Sequence, residues 1–168
     1  MKLFGKRLCL RQLDPDFDNL DSYLGWLRDT HANRFIESAR ENYTKQELLK
    51  YIIEKNSSDT ALLLGIFENQ TSALIGTIKL EPIDLKMKTG WVGILIGNPE
   101  NHGKGYGYES LDILLSFCSS VLNLQNIYLG VSPNNLPALK LYKKLGFASY
   151  DDVNNSMTLN IENYISKF

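Results

Sequence analysis

The sequence predicts an α+β domain with a mixed β-sheet, and three observations predict it. Strand-sized runs of branched apolar residues recur along the chain, and segments whose apolar residues fall at helical spacing lie between them. The 168 residues, 43% hydrophobic and 22% charged, match one globular domain able to bury its own core, so residues 1–168 are taken as one unit.

Leu8, Leu10 and Gln12, flanked by Arg7 and Arg11, alternate as a first strand. Pro15 with Asp14, Asp16 and Asp18 then opens a helix that sets Phe17, Leu20, Leu24 and Leu27 on one face. A polar link from His31 to Tyr43 leads to a second helix. Thr44 and Glu47 stand in capping-box spacing ahead of its Leu48, Leu49, Ile52 and Ile53. Ala61 to Glu68 and Ala73 to Leu80 are the arms of an antiparallel hairpin, joined through the turn-rich Asn69 to Ser72. Lys86 to Gly90 turns into a third consecutive strand, Trp91 to Ile96.

From Tyr108 the period changes, and Leu111, Leu114, Leu115, Cys118 and Val121 mark a long amphipathic helix. Asn126 to Val131 is the next strand. Asn134 to Leu145 is the last helix, with Asn134 or Asn135 as cap, Pro137 in the first turn and Gly146 as its stop. Phe147 to Tyr150 and Ser156 to Ile161 close the domain as a hairpin.

Composition excludes several functions. A net charge of −1 offers no broad basic surface for nucleic acid. The longest apolar runs are strand-sized, against the ~18 residues of a spanning helix, and Met1 to Arg11 lacks the apolar stretch of a secretory signal, so a cytoplasmic protein without a membrane partner is expected. Cys9, Cys118, His31 and His102 show no metal-ligand spacing, so no metal is expected.

The densest chemical signal is His102-Gly103-Lys104-Gly105-Tyr106-Gly107, between a short strand and the start of the long helix. Glycines there allow tight turning and close approach, while free N–H groups and the helix dipole suit an anion such as a diphosphate. The same cluster also reads as a plain strand-to-helix turn. Two well-known phosphate loops fail on counting. A P-loop would need glycine where His102 stands and a hydroxyl after Lys104, and no third glycine completes Gly-x-Gly-x-x-Gly.

Gly103 to Gly107, then Val131-Ser132-Pro133-Asn134-Asn135-Leu136-Pro137-Ala138, then Leu141-Tyr142-Lys143-Lys144-Leu145-Gly146-Phe147, together resemble the GNAT superfamily of acyl-CoA-dependent N-acetyltransferases. The resemblance covers most of the chain and is weakest over the first helices. It implies a mostly antiparallel central sheet of about seven strands flanked by about four helices, with splayed central strands. It implies acetyl-CoA as acyl donor, and a diphosphate held by His102, Gly103, Lys104, Gly105, Tyr106 and Gly107, with His102 standing where the family usually has Arg or Gln. Leu95, Ile96 and Gly97 would flank the pantetheine arm, together with Asn135 and Ala138 of the family's Asn-x-x-Ala pattern.

Tyr142 carries two readings. Ala138, Leu141, Tyr142 and Leu145 form a helical stripe that suits a core. The resemblance instead makes Tyr142 the acid that protonates the departing thiolate, a role open to a phenol still protonated at neutral pH. Trp91 to Gly97 holds no carboxylate, so Glu81 or a water relay is the candidate base. Arg34, Glu37 and Trp91 are candidate acceptor contacts, on a looser likeness to the branch that acetylates nucleotide-activated amino sugars and to the ribosomal-protein N-terminal acetyltransferases.

The expected function is acetyl transfer to a primary amine, of an amino sugar on a nucleotide carrier or of a protein N-terminus. A non-catalytic acyl-CoA-binding module is the competing class. No acyl-enzyme is expected, because Cys118 sits on a helix core face and Cys9 lacks a paired histidine. The C-terminal hairpin leaves room for a homodimer.

Overall fold

The computed structural model describes residues 1–29 and 41–167. Eight strands form one sheet in the order β1-β2-β3-β4-β5-β6-β8-β7: β1 (Lys2–Phe4), β2 (Leu8–Arg11), β3 (Leu62–Glu68), β4 (Leu74–Asp84), β5 (Thr89–Ile96), β6 (Asn126–Gly130), β7 (Ala148–Asp151) and β8 (Ser156–Asn160). Helices α1 (Asp21–Arg28) and α2 (Lys45–Asn56) lie against one face of the sheet, and α3 (Tyr106–Ser120) and α4 (Leu136–Leu145) against the other. The architecture is the α+β one that the sequence predicts, with one strand more than expected. Lys2–Phe4 is too short to carry its own pattern and becomes a strand by pairing with Cys9–Arg11.

Local chemistry accounts for most boundaries. The Thr44 side chain accepts the Glu47 N–H at 3.2 Å and Glu47 accepts the Thr44 N–H at 2.8 Å, closing the capping box of α2. Asn135 caps α4 by accepting the Ala138 N–H at 3.3 Å. Gly146 ends that helix at φ 104°, a left-handed conformation that costs glycine nothing.

Three apolar placements differ from the pattern. Phe17 is 88% exposed and precedes α1, because Asp18 accepts the Asp14 N–H at 2.7 Å and pairs with Arg11, making residues 14–18 a turn. Ile53 and Val121 are exposed too, the latter as the C-cap of α3. The predicted link from His31 to Tyr43 falls mostly outside the described residues.

One pairing positions everything that follows. Every neighbouring pair of strands is antiparallel except β5 and β6, which run parallel and pair only through Thr89–Asn126, Gly90–Ile127 and Trp91–Tyr128. Beyond Trp91 the two strands diverge, as the splayed centre of the expected fold requires.

Candidate active site

The divergence opens a cleft of about 430 Å³. β5 contributes Gly93, Ile94 and Leu95 to one wall, and β6 with the segment after it contributes Gly130, Val131 and Ser132 to the other. A Cβ added at Gly93 or Gly130 would meet nothing within 4 Å, so both strands offer open backbone to a ligand. Asn135 and Tyr142 reach the cleft from α4. Tyr23, Leu27, Tyr51, Leu63, Thr77 and Lys79 form its far end, beneath α1 and α2.

Pro99–Asn101 makes a short 3-10 turn after β5, and the chain then passes through Gly103 at φ 74° and Gly105 at φ 81° before α3 begins. Both conformations are left-handed and favour glycine. Gly107 is needed for a different reason: a Cβ there would stand 3.2 Å from Leu141 Cδ2, where α3 crosses α4. The helix leaves its first N–H groups without intrahelical acceptors, directed to the mouth of the loop. Open backbone in the cleft fits a pantetheine arm, and the free N–H groups of the loop that follows β5 fit a diphosphate.

His102 does not extend from this loop. Its Nε2–H donates to the Ile96 carbonyl at 2.8 Å and closes the loop onto the end of β5. Lys104 is exposed, and its carbonyl accepts from Arg7 Nη1 at 2.9 Å. The side chain of Tyr106 is buried, with its hydroxyl donating to Glu68 at 2.6 Å. Arg7 also donates from its backbone N–H and Nε to the buried Glu109, both at 2.7 Å. Arg7, Glu68 and Glu109 therefore anchor the glycine loop to the first hairpins, and no local motif marks them.

Tyr142 unites the two readings of its position. Its ring packs edge-on to Phe147 at 5.9 Å and it is 7% exposed, yet it lines the cleft. Burial pushes its pKa up to about 12, so it keeps its proton at neutral pH. Leu95 lines the cleft, whereas Ile96 packs toward the α3 side and Ala138 against the same core. Gly97 faces Trp26 so closely that a Cβ would lie 1.9 Å from the indole.

Glu81 sits beside the far end of the cleft, next to Lys79, and not in its lining. Lys55 Nζ stands 2.6 Å from one of its oxygens and Lys79 Nζ 3.0 Å from the other. Burial disfavours its charge, but the two ammonium groups outweigh burial and hold its pKa below the usual glutamate value. Burial, with the Glu81 charge adding to it, pushes Tyr51 up to about 12. Trp91 is 38% exposed and stacks on Tyr128 at 5.4 Å. Arg34 and Glu37 lie outside the described residues. Sequence reasoning missed Tyr23, Tyr51, Thr77 and Lys79, which only the packing of α1 and α2 on the sheet brings together. Burial pushes the Cys118 thiol up to about 12, which removes it as a nucleophile.

Among the described residues no helix is long and apolar enough to cross a membrane, and no cluster of His, Cys, Asp or Glu could hold a metal ion.

Comparison with known proteins agrees with this geometry. Residues 7–148 match the model of the acetyltransferase (GNAT) domain. An N-acetyltransferase 9-like protein of Caenorhabditis elegans is 33% identical over 160 residues, covering 88% of this chain and 78% of that protein. A spermidine N(1)-acetyltransferase of Vibrio cholerae is 30% identical over 126 residues, covering 74% and 72%. In fold, the chain is similar to a putative ribosomal-protein-serine acetyltransferase from Vibrio cholerae, with a TM-score of 0.77 at 20% identity over 95% of this chain and 97% of that one. With a cleft between splayed strands, a glycine loop at its end and a sequence match spanning both, the chain belongs to the GNAT acetyltransferase family and is an acetyl-CoA-dependent N-acetyltransferase.

Proposed function

We propose that the chain transfers an acetyl group directly to the primary amine of an amino sugar on a nucleotide carrier. The observation that carries the transfer reading is the convergence of Tyr142, Asn135 and the bare backbone of Gly93 and Gly130 on one cleft. Acetyl-CoA, when bound, supplies a thioester whose carbonyl carbon an amine lone pair attacks, breaking the C–S bond and releasing a thiolate. The loop from Gly103 to Gly107 binds the diphosphate through backbone N–H groups, and Leu95 with Asn135 orients the pantetheine arm. Tyr142 gives its phenolic proton to the departing sulfur. The amine's proton leaves through water toward Glu81, which Lys55 and Lys79 keep ionised. Most of the rate comes from holding amine and thioester together between the walls.

Lys79 in the cleft lining and the partly exposed Trp91 beside the cleft support an acceptor with phosphate and ring character. A protein N-terminus is the second reading, favoured by how open the sheet is beside Trp91.

Thermal unfolding with acetyl-CoA tests the donor half. At 100 times its dissociation constant it should add about 2.7 kcal/mol of stability. Thiol release with a panel of amines then tests transfer. Absence of both responses at millimolar acetyl-CoA would overturn the proposal.

A further inference from the structure

We propose that the uncovered sheet face beside the cleft, stepped by Trp91, Tyr128 and Tyr150, seats a nucleobase carried by the acceptor, with Lys79 holding its phosphate. The proposal rests on the acetyl-transfer reading above and assigns a place to each part of the acceptor.

The argument begins with alternation along β5. Leu95 belongs to the core beneath α1 and α2, so Gly93 and Trp91, two and four residues earlier, project on that same face. Trp91 pairs with Tyr128, and their rings stack at 5.4 Å with planes 25° apart. Tyr150 meets Tyr128 edge-on at 4.9 Å. Among the described residues none of β6, β7 or β8 belongs to the core beneath α1 and α2, so neither helix packs on this part of the face. Trp91 is 38% exposed and Tyr150 59%, and no hydrogen bond to another described residue ties down the indole N–H or either tyrosine hydroxyl.

This aromatic row continues the cleft. Gly93 and Gly130 line the cleft, each two residues further along the strand from a stacked ring, and open space lies over both. A ligand can therefore run over bare backbone from the thioester to the rings. Tyr128 stacks on the indole from the β6 side, and a planar ring can stack on the part of the indole that remains exposed.

Charge selects what lies between amine and ring. Lys79 is directly across from Gly93 in the β4–β5 register, and it is the one charged side chain among the described residues that line the cleft. Its ammonium shares Glu81 with Lys55, and Glu54 stands 3.6 Å from Lys55 on the outer side, so two lysines balance two glutamates and Lys79 is the member of the group that faces the cleft. A phosphate on the acceptor can accept from the Lys79 ammonium, the one cation that the described residues place in the cleft lining.

The test uses uridine diphosphate as probe on the full chain, with the donor site saturated by coenzyme A. Saturable quenching of indole fluorescence is expected in the native protein and its loss in Trp91→Phe. The dissociation constant should rise about tenfold in Trp91→Ala and in Lys79→Ala. With a uridine diphosphate-linked amino sugar as acceptor, Trp91→Ala should raise the acceptor KM by the same order while leaving the acetyl-CoA KM unchanged. Circular dichroism and a thermal midpoint confirm that each variant folds, and Tyr150→Ala, on the exposed end of the row, provides a second probe of the same surface.

Absence of any uridine diphosphate response, or an acceptor KM indifferent to Trp91 and Tyr150, overturns the proposal. A peptide acceptor whose KM alone depends on Trp91 overturns it in favour of a protein substrate. Nucleotide binding without thiol release from any amine would instead overturn the transfer reading and leave the nucleotide seat standing.

Discussion

Arg7 grips Glu109 with two hydrogen bonds of 2.7 Å across 102 residues of sequence. The carboxylate is fully buried, while the guanidinium is partly open to solvent and also holds the Lys104 carbonyl. This contact fixes the first turn of α3, and with it the direction of the loop's N–H groups, to the β1–β2 hairpin.

Arg7→Ala should therefore act twice. It leaves Glu109 with only a backbone donor, at a cost of about 2–3 kcal/mol of folding stability, read from urea unfolding. It should also raise the acetyl-CoA KM more than the acceptor KM. Equal effects on both would show that the contact serves the fold alone.

Tyr142→Phe keeps the ring packed on Phe147 and removes the proton donor. We expect kcat to fall on the order of 10²-fold or more, with acetyl-CoA binding within about threefold of the native protein. Because burial holds the phenol at about 12, native activity should show no loss attributable to Tyr142 ionisation up to about pH 10. A thiol-release assay across pH checks both.

Gly97→Ala places a methyl group where the Trp26 indole already lies. The indole is held by its bond to Asn98 Oδ1 at 2.8 Å, so it cannot simply swing aside. A loss of about 1–3 kcal/mol is expected from overpacking, seen as a lowered thermal midpoint. An unchanged midpoint would show that α1 shifts freely over the sheet.

Acid should unfasten two carboxylates. Burial opposes ionisation at both, but the Arg11 and Asp14 hydrogen bonds prevail at Asp18, as the two lysines do at Glu81, so each folded pKa lies below its ordinary value of 3.8 or 4.5. Their stabilisation is complete above those ordinary values and is lost as pH falls through the lowered folded ones. Urea midpoints should fall as the pH drops below the ordinary values of 4.5 and 3.8, and less steeply in Asp18→Asn.

Much of the fold was legible because its signals are local. The Thr44–Glu47 box, the Asn135 cap and the Gly146 stop each lie within a few residues and appear in the structure as hydrogen bonds and a left-handed turn. The glycine loop could be read for the same reason. Phe17 lies outside the helix because Asp18 pairs with Arg11 and accepts the Asp14 N–H in a turn, which the 3.6-residue period cannot see. Arg7 meets Glu109, and Tyr51 shares a cleft with Lys79, only through tertiary packing, so no spacing rule could find them.

The three-rung seam between β5 and β6 gives this sheet two edges in its interior. From Val92 to Ile96 the strand pairs on one side only, so its chemistry is that of an outermost strand although it lies fifth among eight. Exposed edges invite pairing with other chains, and proteins usually blunt them. Here the facing wall of the cleft screens the edge from another sheet while admitting a single extended molecule, so the same break in pairing that makes room for a pantetheine arm is protected from aggregation by its own narrowness.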